Sequence, residues 1–202
     1  MLPGEPGAER DKEGRRRMTG TVAAAAVLAL ISGLLAWIYN RLVRLRNLSL
    51  SSWSDIDVLL KRRHDLVGNL VETVKGYAGY EQSILVGVTE ARARAVRAAG
   101  PADRGKEEAV LGERVSSLFA VAERYPALKA SEVYLLLQKQ FVEIENGIEY
   151  ARRYYNAVVR DYNTATETFP SNLVAPLFGF RGAEYFRLDS PAERERVDAR
   201  MS

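Results

Sequence analysis

Ten charged residues in two separate stretches of the chain could do chemistry if the fold brings the stretches together. They are Asp55, Asp57, Arg62, Arg63, His64, Glu145, Glu149, Arg152, Arg153 and Asp161. Carboxylates and imidazoles bind metal ions, and arginines bind phosphate groups. A metal- or phosphate-dependent enzyme is therefore one hypothesis for this chain.

The composition argues against such an enzyme. Helical bundles that hold two metal ions use Glu-x-x-His pairs on two helices, whereas this chain has one histidine, His64, which follows two arginines. The chain has no cysteine, and it has no Gly-rich phosphate loop, no GxSxG and no HExxH. We therefore predict no catalytic residue, no cofactor and no metal site.

The same charges fit a structural role. If two long helices, one around each stretch, pair antiparallel, the numbers of facing residues sum to about 208. The predicted facing pairs are Asp57 with Arg152, Arg63 with Glu145, and Arg46 with Asp161 or Tyr162. Unlike charges at each level predict an inter-helix charge register, which fixes how far one helix can slide along the other.

Apolar residues recur at spacings of three and four through most of the chain after residue 40, which is the pattern of amphipathic helices. The two longest runs lie at about residues 41–77 and 130–168, and two shorter runs between them are bounded by Gly100-Pro101 and Tyr125-Pro126. We predict an all-α fold, in which an N-terminal transmembrane helix precedes an elongated up-and-down bundle of two long and two short helices.

An uncharged run at residues 18–40 is long enough, at about 1.5 Å per residue, to cross the hydrocarbon core of a bilayer. Trp37 and Tyr39 near its end are typical of the headgroup layer. A cleaved signal peptide is the alternative, but the run is long for one and lacks a small-x-small cleavage site. We predict a single-pass protein of the cell (cytoplasmic) membrane, and the basic residues before the run favour an extracytoplasmic domain.

The predicted organisation has four parts. A charged, disordered N terminus (1–17) precedes the transmembrane helix (18–40), the helical domain (41–188) and a charged, flexible tail (189–202). The chain has 29 basic and 26 acidic residues, so its surface lacks the one-sided charge of a nucleic-acid-binding protein. We predict no nucleic-acid partner.

Two apolar regions predict contacts. The first lies on the stalk that the long helices form where the short helices end, and we predict that it is a surface for a partner or an oligomer: Ile56, Tyr155, Val158, Val159 and Tyr162. The second is a membrane-proximal tail, which either folds back over the stalk or lies in the membrane interface: Phe169, Leu173, Phe178, Phe180 and Phe186.

Six ordered blocks of the sequence resemble LemA family proteins: residues 53–77, 123–130, 137–146, 151–156, 161–163 and 169–173. The resemblance implies an N-terminal membrane helix followed by an antiparallel helical domain, and it implies no agreed biochemical activity. The chain departs from the family pattern at Gly68, Tyr80, Ala127 and Ser131, and the departure at Tyr80 removes a histidine.

These observations predict a membrane-anchored, non-enzymatic helical scaffold or interaction protein. Its predicted partners are membrane lipid and either a second copy of itself or another envelope protein. Besides the enzyme already described, a peripheral membrane-remodelling module is an alternative, because the apolar tail could bind a bilayer.

Overall fold

The structure is a computed structural model that describes residues 7–77 and 81–188. These residues form six α-helices and no strand, which confirms the all-α prediction. The helices are α1 (Gly7–Lys75), α2 (Gln82–Arg97), α3 (Gly100–Ala122), α4 (Pro126–Lys129), α5 (Glu132–Glu167) and α6 (Ser171–Val174), and a 3-10 turn (Pro176–Phe178) follows α6.

The described chain divides into two compact units. The anchor unit contains residues 7–44 and 165–181, and the bundle unit contains residues 45–77, 81–164 and 182–188. The long helices α1 and α5 each contribute residues to both units.

Proline marks the helix boundaries that the sequence predicts. Pro101 and Pro126 lie in the first turns of α3 and α4. Backbone N–H groups in the first turn have no partner within the helix, so proline costs no hydrogen bond there. Helix α5 ends at Glu167, shortly before Pro170. Helix α1 ends at Lys75, close to the predicted end of the first long apolar run at about residue 77.

The N terminus differs from the prediction. Residues 7–17, predicted to be disordered, form the first turns of α1. Glutamate, lysine and arginine dominate this stretch, and these residues have high helix propensity. The rest of the predicted N terminus, residues 1–6, and the predicted flexible tail, residues 189–202, lie outside the described residues.

The core of the bundle unit follows the predicted apolar seams. On α1 the seam residues Ile56, Leu60, Arg63, Val67, Leu70 and Val74 are all buried. The apolar residues among them pack with Leu111 and Leu118 of α3 and with Phe141 and Ile148 of α5 in one hydrophobic cluster. Burial of one stripe per helix explains why a 3.5-residue repeat in the sequence gives a bundle.

The anchor unit contains the one described stretch of helix that is long and apolar enough to cross a membrane. Only 6% of its most apolar window is buried inside the protein, whereas a core helix of a soluble protein would be mostly buried. This stretch therefore has the length, the composition and the exposure of a membrane-spanning helix.

Candidate functional site

A buried cluster of charges lies in the core of the bundle unit. Glu108 of α3 is 1% exposed and accepts hydrogen bonds from two residues of α1. Its Oε2 lies 2.8 Å from Nη1 of Arg63, and its Oε1 lies 2.5 Å from Nε2 of His64. The Nε of Arg63 lies 2.8 Å from Oε1 of Glu145 on α5, without hydrogen-bond alignment. The cluster thus joins three helices.

The other short helix of the bundle unit, α2, also contacts this cluster. Nε of Arg92 on α2 donates to the backbone oxygen of His64 at 2.6 Å. All four main helices of the bundle unit therefore meet at one level, and each contact across them requires one particular alignment of the helices. Polar groups inside a helical bundle fix register in this way.

A groove of about 490 Å³ opens between α3 and α5 next to the cluster. Its lining residues are Arg63, Gly112, Val115, Ser116, Phe119, Gln138, Phe141, Val142, Glu145 and Asn146. Gly112 leaves room for the guanidinium group, since a Cβ at this position would lie 3.2 Å from Nη2 of Arg63. The groove is lined by the aromatic rings of Phe119 and Phe141 and by the charged side chains of Arg63 and Glu145, which are paired with each other.

The predicted facing charges agree with the structure in part. Arg63 and Glu145 face each other as predicted. Arg46 lies near Tyr162, one of its two predicted partners, and its positive charge opposes the rise in pKa that burial causes at Tyr162. Asp161, the other predicted partner of Arg46, instead pairs with its neighbour Arg160.

The predicted pair of Asp57 with Arg152 is wrong. Asp57 forms an ion pair with Arg104 of α3. A third helix therefore reaches the level where the sequence predicts only α1 and α5. Nε of Arg152 is buried and has no hydrogen-bond partner among the described residues.

Only part of the hypothetical enzyme site comes together: Arg63, His64 and Glu145 belong to the buried cluster, where each is already paired. Asp57 pairs with Arg104, and Arg153 pairs with Glu149 one turn away on the same helix. The imidazole of His64 is paired with the carboxylate of Glu108. Among the described residues, no group of three histidine, aspartate or glutamate side chains is placed to hold a metal ion. The contacts of Asp57 and His64 join two helices, and the two charged side chains that line the groove, Arg63 and Glu145, are paired with each other.

The predicted stalk surface is buried, so the prediction that it is an exposed contact surface is wrong. Ile56, Tyr155, Val158, Val159 and Tyr162 are all 6% exposed or less. These side chains are buried because residues 182–188, which follow the anchor unit in the chain, fold back along α1 and α5. We call these residues the strap. Its Phe186 is fully buried, with its ring centroid 5.5 Å from that of Trp53.

Two asparagines of α5 hold the strap. Asn156 donates from Nδ2 to the oxygen of Phe186 at 2.9 Å, and its Oδ1 accepts the N–H of Phe186 at 3.0 Å. Two turns along the helix, Asn163 makes the same pair of bonds with Ala183, at 3.0 and 2.7 Å. Each amide side chain thus forms the two hydrogen bonds that a neighbouring β-strand would otherwise form with one strap residue. The backbone groups of Phe186 and Ala183 are therefore satisfied although the strap is not part of a sheet.

Tyr155 gives the strap a pH-dependent contact. Its hydroxyl donates to the backbone oxygen of Glu184 at 2.8 Å, and burial raises the pKa of the hydroxyl to about 12. Since the folded-state pKa lies above the ordinary value of 10.0, the stabilising contribution is complete below pH 10 and is lost as the pH rises toward 12.

We expect Tyr155→Phe to lower the free energy of unfolding by about 1 kcal/mol at pH 7, because one hydrogen bond is lost. Above pH 10 the variant loses less stability with rising pH than the wild-type chain does, since its position 155 no longer titrates. Urea unfolding at a series of pH values measures both effects. Parallel stability curves for the two proteins between pH 10 and 12 would contradict this assignment.

An exposed apolar face runs along α5 on the side next to the groove. Its apolar members are Leu135, Leu136, Val142, Tyr150 and Tyr154. At 3.6 residues per turn they lie within about 120° of one another around the helix axis. Tyr150 is 75% exposed and Val142, which also lines the groove, is 58% exposed. Among the described residues of the bundle unit, this α5 face is the largest group of exposed apolar side chains on one side of a helix.

The predicted membrane-proximal tail is divided by the structure. Phe169, Leu173 and Phe178 belong to the anchor unit and are exposed. Phe180 belongs to the same unit but is buried. Phe186 lies buried in the strap of the bundle unit, which corresponds to the alternative in which the tail folds back.

Sequence reasoning missed Glu108, Asn156 and Asn163. Glu108 stands three residues before Leu111 in the apolar seam of α3, and a carboxylate at a seam position is a signal for a buried ion pair. The two asparagines lie seven residues apart inside a long helix, where asparagine is unfavourable without a side-chain partner. Both signals are present in the sequence.

Comparisons with known proteins agree on one family. The sequence model of the LemA family matches residues 52–200. Magnetosome protein MamQ 2 of Paramagnetospirillum magneticum is 30% identical over 197 aligned positions, which cover 85% of this chain and 72% of that protein. Magnetosome protein MamQ of Magnetospirillum gryphiswaldense is 27% identical with the same coverage. Protein LemA of Metamycoplasma hominis is 28% identical over 168 positions, 81% of this chain and 74% of that protein.

Proposed function

Since this chain belongs to the LemA family, whose model matches well over half of its length, we propose that it is a membrane-anchored, non-enzymatic scaffold that self-associates. The chain is a membrane-associated protein through the apolar part of α1. In this proposal, two copies in one membrane bind each other through the α5 face. The observation that carries the proposal is the exposure of five large apolar side chains on that face.

The charges on and beside the α5 face suit a second copy of the same chain. Lys139 and Arg153 are basic, Glu143 and Glu149 are acidic, and all four are exposed. A face with two charges of each sign can approach its own copy without net repulsion, and the copies can align so that unlike charges meet. A strongly basic or acidic partner would instead favour a face of one sign.

The groove next to the face supports the same proposal. Groove and face share Val142, so a helix that packs on the face can also reach the aromatic walls formed by Phe119 and Phe141. An amphipathic helix placed in an apolar groove is a common mode of protein recognition. Because the anchor holds both copies in one membrane, their effective concentration is high, and a small interface is sufficient.

Cysteine crosslinking in the membrane tests the proposal, since the chain has no cysteine of its own. We expect Val142→Cys and Tyr150→Cys to give crosslinked dimers of the 202-residue chain with a short bis-maleimide. Val58→Cys is the matched control, because Val58 is a valine of the bundle unit that is 65% exposed but lies on α1. It should remain monomeric under the same conditions.

Equal crosslinking at positions 58 and 142 would contradict an interface on α5, because it would reflect random collision. A crosslink between position 142 and a different protein would show that the α5 face binds an envelope partner and not a second copy. Purification of the chain in a bilayer of defined lipids removes such partners, and the loss of all crosslinks in that bilayer would contradict self-association.

A further inference from the structure

Four large apolar side chains of the anchor unit are exposed in the short segment after α5. They are Phe169 (78% exposed), Leu173 (61%), Leu177 (80%) and Phe178 (58%). The segment is ordered by contacts of its own: the backbone oxygen of Ala175 accepts the N–H of Phe180 at 2.9 Å, and that of Ser171 accepts the N–H of Ala175 at 2.8 Å. Its exposed apolar side chains are thus held on a compact turn.

The segment lies beside the end of the membrane-spanning run. The ring of Tyr39 on α1 contacts Phe178 and Phe180, with ring centroids 5.0 and 5.7 Å apart. A small cavity of about 50 Å³ has walls from both parts of the unit, including Trp37 and Arg41 of α1 and Phe169 of the segment. Tyr39 is the second-last uncharged residue before Arg41, so the segment stands at the level where the hydrocarbon core gives way to headgroups.

We infer that residues 169–178 form a lipid-binding surface that inserts Phe169, Leu173, Leu177 and Phe178 into the interface of the same bilayer that holds the anchor. Aromatic and leucine side chains on a short ordered element are what interfacial segments bury at the boundary between headgroups and acyl chains. The segment thereby fixes the height of the anchor in the bilayer. This surface is separate from the α5 face.

The charges around this surface favour lipid over a protein partner. The end of the span and the segment together carry Arg41, Arg44 and Arg181 against the single acidic residue Glu167. The guanidinium carbon of Arg41 lies 5.7 Å from the ring centroid of Trp37, the combination of aromatic and basic residues that is enriched in the headgroup layer. Anionic lipid headgroups are the negative charges that the membrane places there.

Fluorescence quenching of the whole chain in vesicles tests the inference. Leu177→Cys carries an environment-sensitive NBD dye, and Val58→Cys, also highly exposed, carries the same dye as the control. The vesicles contain phosphatidylcholine and phosphatidylglycerol, with part of the lipid bearing a nitroxide near the top of the acyl chain. We expect several-fold stronger quenching by this lipid at position 177 than at position 58, and a blue-shifted emission at position 177.

Two results would overturn the inference. One is equal quenching at both positions by iodide in the water phase with no quenching by the nitroxide lipid. The other is the formation of disulfide-linked dimers by the unlabelled Leu177→Cys chain without lipid quenching of the labelled chain, which would assign the surface to a second copy. Leu177 is 80% exposed, so we expect its replacement to remove little packing within the protein.

Discussion

Replacement of Glu108 by alanine should destabilise the bundle unit more than any other single change of a charged residue described above. The variant leaves Arg63, 4% exposed, and His64, 6% exposed, buried without the carboxylate that both contact. Removal of one partner from a buried ion pair costs about 3–5 kcal/mol. Urea unfolding of the chain in nanodiscs measures the loss through Trp53 fluorescence in a Trp37→Phe background.

The neighbouring residue provides the matched control. Glu107 is also paired, with its Oε2 3.1 Å from Nε of Arg94, but the side chains of Arg94 and Glu107 are 47% and 33% exposed. Glu107→Ala should therefore cost only about 0–1 kcal/mol. Similar losses for the two variants would show that burial of the Arg63–Glu108–His64 cluster is not what makes it important.

Gly105→Ala should release the strap from α3. A Cβ at Gly105 would lie 2.0 Å from the oxygen and 2.9 Å from the carbonyl carbon of Arg187, which is closer than any real contact. Backbone atoms cannot move aside as a flexible side chain can. We expect a loss of about 1–3 kcal/mol, typical of overpacking, together with a red shift of Trp53 as Phe186 leaves it.

A second helical glycine controls for the change in helix propensity. At Gly87 an added Cβ meets nothing closer than Cδ of Arg114, at 3.9 Å. Gly87→Ala should thus stabilise the chain by about 0.5–1 kcal/mol, since alanine is the better helix former. If Gly105→Ala also stabilises the chain, the strap does not lie against α3.

The helical part of the fold is predictable because each helix buries one stripe. The α1 seam from Ile56 to Val74 follows directly from apolar spacing, and the facing of Arg63 and Glu145 follows from pairing the two long helices antiparallel. Both conclusions need only helix geometry and the sign of charges. The same reasoning fails at Asp57, since pairing two helices ignores the third helix that brings Arg104 to this residue.

The strap could not be predicted from periodicity. Residues 182–188 are extended and pair with side chains instead of a strand, so no repeat in the sequence marks their register. As a consequence, residues such as Tyr155 and Val159 look exposed on a two-helix stalk although the strap makes them part of the core. A cue was available in Asn156 and Asn163, which serve as the two clamps.

Because the predicted stalk surface is buried, the candidate contact surface is the exposed α5 face. The exposed apolar residues of α5 lie on a different side of the helix from Tyr155 and Tyr162, and they include Tyr150 and Tyr154 next to the buried Tyr155. In a run of adjacent tyrosines, sequence alone does not determine which rings face the core. The scaffold proposal therefore rests on the α5 face and no longer on the stalk.

The proposed function depends on the association of two copies through the α5 face within one membrane. Its most direct test is the counting of photobleaching steps for single labelled complexes extracted from the membrane in native nanodiscs, for wild-type chain, Val142→Glu and Val58→Glu. We predict two steps for the wild-type chain and for Val58→Glu, and one step for Val142→Glu, since a buried unpaired carboxylate opposes association. Two steps for Val142→Glu, or one step for the wild-type chain, would contradict the proposal.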